Sequence, residues 1–200
     1  MSTLNARVAD HPIDTLFLQR WSPRAFTGEA IPEAELLSLF EAARWAPSAY
    51  NSQPWRFLYA RRDTPHWERF FGLLAPFNQS WANRAAALVV LVSNPEFQPP
   101  GADKPVILRS ASVDAGAAWA SLALQATHSG WRAHGLAGFD VERAAVELNV
   151  PANHRVEIAI AIGRLGDKSI LPEALQAREQ PSGRRKVEEF AFEGGFAASA

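Results

Sequence analysis

Several segments of the chain gather basic and polar side chains at spacings suited to chemistry. The first, Arg20-Trp21-Ser22-Pro23-Arg24-Ala25-Phe26, places two guanidiniums and a hydroxyl within five residues, just ahead of an apolar helical pattern. Taken alone it also reads as a solvated, cap-forming turn. The second runs from Glu41 to Trp55 and carries Pro47, Ser48, Asn51 and Gln53 between a helical and an alternating pattern. A plain helix–loop–strand connection would serve as well, yet the loop is rich in hydrogen-bonding side chains for a mere turn. Asn78 and Trp81 precede an apolar run, and His134-Gly135-Leu136-Ala137-Gly138-Phe139-Asp140 follows a long small-residue stretch. Gly138, lacking a Cβ, would let a ligand approach the main chain closely, or it is simply a turn before Asp140. The last segment, Arg184-Arg185-Lys186, is basic. It reads as a solvated run or as a site for an anion.

The missing motifs narrow the chemistry. There is no G-x-G-x-x-G, no Walker-A loop and no G-x-S-x-G elbow. The five histidines, at 11, 66, 128, 134 and 154, lack metal-ligand spacing, and the chain has no cysteine. A dedicated metal site and a thiol nucleophile are therefore not expected. What remains is chemistry carried by an organic cofactor. With a net charge of −1 and no aromatic interleaving in 184–186, nucleic acid is not an expected partner. Any bound anion must be met by local arginines.

Those segments need elements to hold them. Pro32 suits a first helical turn, Leu36, Leu37, Phe40 and Ala43 share a helical face, and Pro47 stops the helix. Trp55, Phe57 and Tyr59 alternate with Arg56 and Leu58, predicting a half-buried strand. Residues 85–92 form a short apolar run suited to a strand covered on both faces. Val156, Ile158, Ile160 and Ile162 are expected on one face of a strand at 156–162. A helix is predicted over about 111–129, with Asp114, Ala118, Ser121, Gln125 and His128 on a small or polar face. Trp119, Leu122 and Ala126 line another face, so the helix reads as a core or subunit-interface element. A third helix begins after Asp140, a good N-cap, and ends near Asn149-Val150-Pro151.

The element order lacks strict strand–helix alternation, so the expected class is α+β. Two hundred residues, 48 % hydrophobic and 20 % charged, suit one domain spanning 1–200. From about 170 the chain carries Pro172, Pro181 and Gly183 with little periodicity, and 170–200 is expected to cross the surface as an extended C-terminal arm. Residues 1–20 lack the apolar core of a secretory signal, and the 111–127 stretch is too short and too polar to span a bilayer. With no cysteine, a cytoplasmic location away from membranes is the expectation. Asn78-Gln79-Ser80 reads as a glycosylation sequon without the secretory context that would give it meaning.

Taken together, the motifs resemble the nitroreductase superfamily. An Arg-x-Ser-x-Arg stretch (Arg20, Ser22, Arg24) is followed by a helix with Ala42-Ala43 and Ala46-Pro47-Ser48, then by Asn51, Gln53, Pro54 and Trp55. The likeness continues through Asn78, Trp81, the long small-residue helix, 134–140 and 184–186. It is weakest over about 60–76. The resemblance implies a nitroreductase-like α+β fold, with a central, mostly antiparallel sheet flanked by helices, in an intertwined homodimer that holds FMN at the subunit interface. It implies phosphate held by Arg20 with Arg184 or Arg185, and a cation, Arg24, at the N1–C2=O edge of the flavin. Ser22 would bond nearby, Asn78 would read the pyrimidine edge, and the backbones of Ala137 and Gly138 would approach O4 and N5. Pro47, Ser48 and Asn51 would reach the same flavin from the other subunit.

Two positions depart from the pattern. Trp21 and Trp81 stand where many members carry basic residues. They would narrow the cavity, stack on an aromatic substrate or pack in the core. The implied activity is transfer of electrons from NAD(P)H to an electron-poor acceptor such as a nitroaromatic, a quinone or an activated alkene, by a ping-pong mechanism. No side-chain acid or base is assigned. Specialised reactions of relatives (dehalogenation, flavin fragmentation, azoline oxidation) and a flavin-binding role without turnover are the alternatives.

Overall fold

The computed structural model describes residues 7–196 of the chain. Asp14 caps a short helix, α1 (Thr15–Gln19), its carboxylate accepting the Leu16 N–H at 2.8 Å. Pro32 precedes α2 (Glu33–Arg44), which starts with Glu33 and Glu35 at its positive end and stops before Pro47. Leu36, Leu39 and Ala43 are its buried residues. Leu37, expected with them, is 48 % exposed, because the buried stripe turns through Leu39 instead. Strand β1 (Trp55–Arg61) follows, then α3 (Trp67–Gly72) and α4 (Pro76–Ala82). Helix α3 lies in the region where the resemblance is weakest, and Trp67, Phe70, Leu73 and Leu74 there are buried.

Strand β2 (Ala87–Ser93) is buried along its whole length. A small hairpin, β3 (Glu96–Phe97) with β4 (Val106–Ile107), leads into α5 (Ala111–His128). Then come β5 (Arg132–Leu136), α6 (Val141–Glu147) and β6 (Arg155–Gly163). Asp140 caps α6 as expected, accepting the Arg143 N–H at 2.9 Å. The four long strands form one sheet in the order β1-β2-β6-β5, with every pairing antiparallel. The mixed helix and antiparallel-sheet architecture is the α+β class expected.

The sheet is covered on both faces. On one, α2 and α5 bring Leu36, Leu39, Leu122 and Ala126 onto Val89, Leu91, Ile160 and Ile162. On the other, Phe26, Trp67, Phe70 and Trp81 pack with Leu88, Val90, Ala159 and Ala161. Strand β1 is likewise wedged between them: Phe57 and Tyr59 join the first core, and Leu58 and Ala60 the second. At the sheet edge, with most of its side chains only partly covered, it is the half-buried strand expected.

One side-chain parity differs from expectation. Leu91 pairs with Ile158 but Val92 with Val156, so Glu157 is the extra residue of a β-bulge. Val156 therefore packs on the second core while Ile158, Ile160 and Ile162 stay on the first.

On α5 the buried stripe is Ala111, Asp114, Ala115, Ala118, Leu122, Ala123 and Ala126. It draws from both faces proposed by the sequence, whereas His128 is exposed and Val113 is 73 % exposed. Beyond β6 a short helix, α7 (Glu173–Gln176), packs Leu175 with Leu171 into the second core. The segment from 170 thus contributes to the core before residues 183–186 emerge exposed. No helix among the described residues is long and apolar enough to cross a membrane.

Leu122 has no exposed surface and lies where α5 meets the sheet. Leu122→Ala should lower unfolding free energy by about 3 kcal/mol, in the range for a buried leucine cavity. Urea unfolding checks this, and a loss below about 1 kcal/mol would mean the site collapses to fill the gap.

Candidate functional site

The segment 20–26 has no strand of its own and is held by its backbone and by one ring. Phe26 has no exposed surface and sits 6.2 Å, centroid to centroid, from Trp81. Its ring lies over Gly163, where a Cβ would come within 2.6 Å of it, so glycine is required there. Phe26 also bridges to Leu165, and the Ala25 carbonyl accepts the Gly166 N–H at 2.8 Å. The Pro23 carbonyl accepts a hydrogen bond from His134 Nδ1 at 2.9 Å. That contact fixes the tautomer with the proton on Nδ1 if the ring is neutral.

Glu179, from the segment after α7, completes the support. Its Oε1 accepts the N–H groups of Arg24 at 2.6 Å and Ala25 at 2.8 Å. Its Oε2 lies 4.0 Å from Arg24 Nη1, with side-chain exposures of 18 % for Arg24 and 2 % for Glu179. Both Oε2 and Arg24 Nε are buried without a hydrogen-bond partner. The Arg24 guanidinium also lies 5.9 Å from the Trp81 ring. Burial lowers its proton affinity, Glu179 opposes this, and Arg178 adds to it.

Arg20 is half-buried and donates to Ser22 Oγ at 3.4 Å. Its carbonyl accepts from Arg7 Nη1 at 2.7 Å, while Arg7 Nε donates to the Ser182 carbonyl at 2.8 Å. Arg7 thereby ties the two ends of the chain together. Burial and then the charge of Arg184 depress the Arg20 pKa; for Arg7 the causes are burial, Arg184 and Arg20. The structure thus brings Arg184 into electrostatic reach of Arg20. Arg185 is exposed, and no such coupling links it to Arg20. Among the described residues, neither Arg20 nor Arg184 has a carboxylate ion-pair partner. Next to this cluster, Val8, Ile13, Phe17, Arg184, Val187 and Phe190 line part of a cavity of about 1300 Å³.

Asn78 and Gly138 meet directly. Asn78, buried on α4, donates through Nδ2 to the Gly138 carbonyl at 2.8 Å and accepts from Trp81 Nε1 at 3.2 Å. A Cβ on residue 138 would collide with Asn78 Nδ2, which explains the glycine. The N–H groups of Ala137 and Gly138 make no hydrogen bond among the described residues. With its amide so engaged, Asn78 is not an accessible glycosylation acceptor. Trp81 is 2 % exposed and packs 4.7 Å from the His134 ring, so it belongs to the core rather than to a substrate-stacking surface. Trp21 stays half-exposed beside Ser22.

Pro47, Ser48 and Asn51 belong to a loop held by other partners. Asp114, buried on α5, accepts the Ala49 N–H at 3.1 Å, and Ser48 Oγ accepts the Gln53 N–H at 3.0 Å. Tyr50, Asn51 and Gln53 take positive φ of 54°, 52° and 47°. For tyrosine and glutamine that is an uncommon, costly conformation, of the kind that gathers at binding sites. No hydrogen bond or ion pair among the described residues joins 47–51 to Arg20, Arg24, Asn78 or Gly138. Sequence reasoning missed Arg7, Glu179 and Asp114. Each is a single charged residue in an unremarkable run, and only the fold brings it to its partners.

Comparison with known proteins gives this geometry a context. The chain is similar over 100 % of its length, and 100 % of the other's, to a solved structure described as an oxidoreductase containing FMN, with 46 % identity and a TM-score of 0.92. It is 30 % identical to an NADH dehydrogenase of Thermus thermophilus, over 74 % of this chain and 84 % of that one. The sequence profile of the Nitroreductase family matches residues 17–71. The chain belongs to the nitroreductase family. A protein of Desulfovibrio desulfuricans, provisionally described as a nitroreductase and solved in complex with FMN, is 25 % identical with a TM-score of 0.69, covering 94 % of this chain and 100 % of that one. The 17–71 match takes in Arg20, Ser22, Arg24, Pro47, Ser48 and Asn51 of this chain.

His134 offers a test of the buried site. Burial pushes its pKa from 6.5 down to about 4; the bond to Pro23 opposes this, and the charges of Arg24 and Arg20 reinforce it. The folded value lies below the unfolded one, so the unfolded chain takes up the proton first as pH falls. This contribution to stability is fully present above pH 6.5 and is lost on acidification toward about 4. The slope reaches about 1.4 kcal/mol per pH unit. His134→Gln should flatten urea midpoints across that window, and an unchanged slope would contradict the buried neutral imidazole.

Proposed function

We propose that this nitroreductase-family chain is an FMN-dependent oxidoreductase that passes electrons from NAD(P)H to an electron-poor acceptor such as a nitroaromatic, quinone or activated alkene. The observation that carries the reading is the placing of guanidiniums from the two ends of the chain beside a third, partly unpaired one. The charge of Arg184 lowers the proton affinity of Arg20, neither has a carboxylate partner among the described residues, and Arg24 keeps a buried Nε without an acceptor. A monophosphate suits the first pair, since guanidinium forks bind phosphate bidentately. A flavin edge that gains negative charge on reduction suits Arg24. Bound FMN would supply the hydride chemistry, accepting from the nicotinamide and donating to the acceptor in a ping-pong cycle.

The chain's own groups then have separable tasks. Arg20 and Arg184, with Arg7 behind them, hold the phosphate, and Ser22 keeps Arg20 oriented. Arg24 supplies the fixed cation at the N1–C2=O edge. Asn78, expected to read the pyrimidine edge, instead braces Gly138 with both amide atoms engaged in the fold, and the N–H groups of Ala137 and Gly138 serve O4 and N5. Trp21, half-exposed beside Ser22, lines the same end of the site. Between the phosphate candidates left open by the sequence, the coupling to Arg20 favours Arg184 over Arg185.

We assign the homodimer on similar grounds. Helix α5 leaves Val113, Gly116 and Ala120 exposed, a small-residue face that another helix can approach closely. The loop with Pro47, Ser48 and Asn51 is anchored to the same helix through Asp114 and makes no hydrogen bond to the arginines of its own chain among the described residues. In the dimer it serves the site of the second copy.

Purified protein should be yellow, and liquid chromatography of the released cofactor should return FMN. Steady-state oxidation of NAD(P)H with a quinone should show parallel-line kinetics. A colourless protein that rejects added FMN overturns the reading. A yellow protein that never oxidises NAD(P)H overturns the enzymatic part alone. Arg24→Ala should keep the dimer in light scattering yet weaken FMN binding by about tenfold or more, as for loss of a charge-assisted hydrogen bond. Unchanged affinity and an unchanged rate of flavin reduction would remove Arg24 from the site.

A further inference from the structure

Glu179 is a carboxylate in an unusual position. One oxygen, Oε1, accepts two consecutive backbone N–H groups, from Arg24 and Ala25, at 2.6 and 2.8 Å. The other, Oε2, stands 4.0 Å from Arg24 Nη1, beyond hydrogen-bond distance, and has no partner. The side chain is 2 % exposed. Pairing the two backbone N–H groups explains Oε1 but not the charge, which a neutral amide would spare, because burying two charges costs more than a loose pair returns. A bidentate Arg–carboxylate fork would have consumed the donors of Arg24. Here the carboxylate is spent on the backbone, so it fixes where Arg24 sits and lowers the net charge there. The guanidinium keeps Nε free.

We propose that Glu179 is a positioning residue that sets the charge Arg24 presents to the flavin, and so holds down the flavin's reduction potential. The inference rests on the FMN reading above and goes beyond it, by assigning a role to a residue outside the motifs. Reduction places negative charge at the edge assigned to Arg24, and a fixed cation favours the reduced form. A carboxylate behind that cation offsets part of the effect. The groups facing Arg24 act in opposite senses, since Glu179 raises its proton affinity while Arg178 lowers it. Glu179 also lies five residues before Arg184, so one segment delivers a carboxylate to Arg24 and a guanidinium toward Arg20.

The decisive variant is Glu179→Gln, whose amide oxygen can still accept both backbone N–H groups but carries no charge. FMN dissociation constants are measured anaerobically for oxidised and dithionite-reduced cofactor, on wild type and variant. The ratio of oxidised to reduced constants should rise about tenfold in Glu179→Gln, equivalent to about 30 mV for a two-electron couple. Glu179→Asp, which keeps the charge, should leave the ratio within about twofold of wild type even where melting temperature falls. A wild-type ratio in Glu179→Gln, or an equal shift in Glu179→Asp, overturns the proposal while the FMN reading stands. Wild-type protein that binds no FMN overturns the FMN reading itself.

Discussion

Backbone groups buried outside regular structure must find partners, and this constraint organises the molecule around residues 23–25. Pro23 and Ala25 are buried, Arg24 nearly so, yet none of them belongs to a helix or a long strand. Their polar groups are met by His134 from β5 and by Glu179 from the segment after α7. An unpaired buried amide or carbonyl costs of order 1–3 kcal/mol, so these side chains are obligatory partners and not ornament. The same bonds fix the direction in which the arginines leave the backbone. Fold and site are therefore specified by one set of interactions.

The two faces of the sheet divide the work. Aliphatic and small residues of α2 and α5 cover the first face, and these helices carry Asp114 but none of the arginines of the site. The second face is aromatic, with Phe26, Trp67, Phe70 and Trp81 over β2, β6 and β5. It supports His134, Asn78 and Gly138 through rings and amides that leave little freedom. Trp81 is part of that packing. Arg24 thus stands against a ring with which it makes only a weak contact. A site built on packed rings and strands is held more firmly than one built on loops alone.

Much of this was legible in the residues. Proline stops, the Asp140 cap, the apolar run of β2 and the alternation in β1 encode local preferences that tertiary contacts reinforce. The motif spacing around Arg20, Ser22, Arg24 and Asn51 pointed to the family found by comparison. Less legible were features set by pairing and by distance along the chain. A bulge at Glu157 shifts Val156 to the other face, which no pattern of alternation reveals. The buried stripe of α5 is small and nearly uniform, so periodicity does not decide which alanines face inward. Arg7, Glu179 and Asp114 act across long sequence separations, and single charged residues of that kind give no local signal.

The loop after α2 has an implication for how the chain tolerates change. Tyr50, Asn51 and Gln53 occupy backbone conformations that glycine would adopt with less steric penalty. Glycine at Tyr50 or Gln53 would relax the folded loop yet widen the ensemble available to the unfolded chain, two effects of opposite sign. Retaining bulky side chains there trades local comfort for definition of shape. Sequence drift in this loop should thus be limited less by what its side chains touch than by which residues endure its handedness.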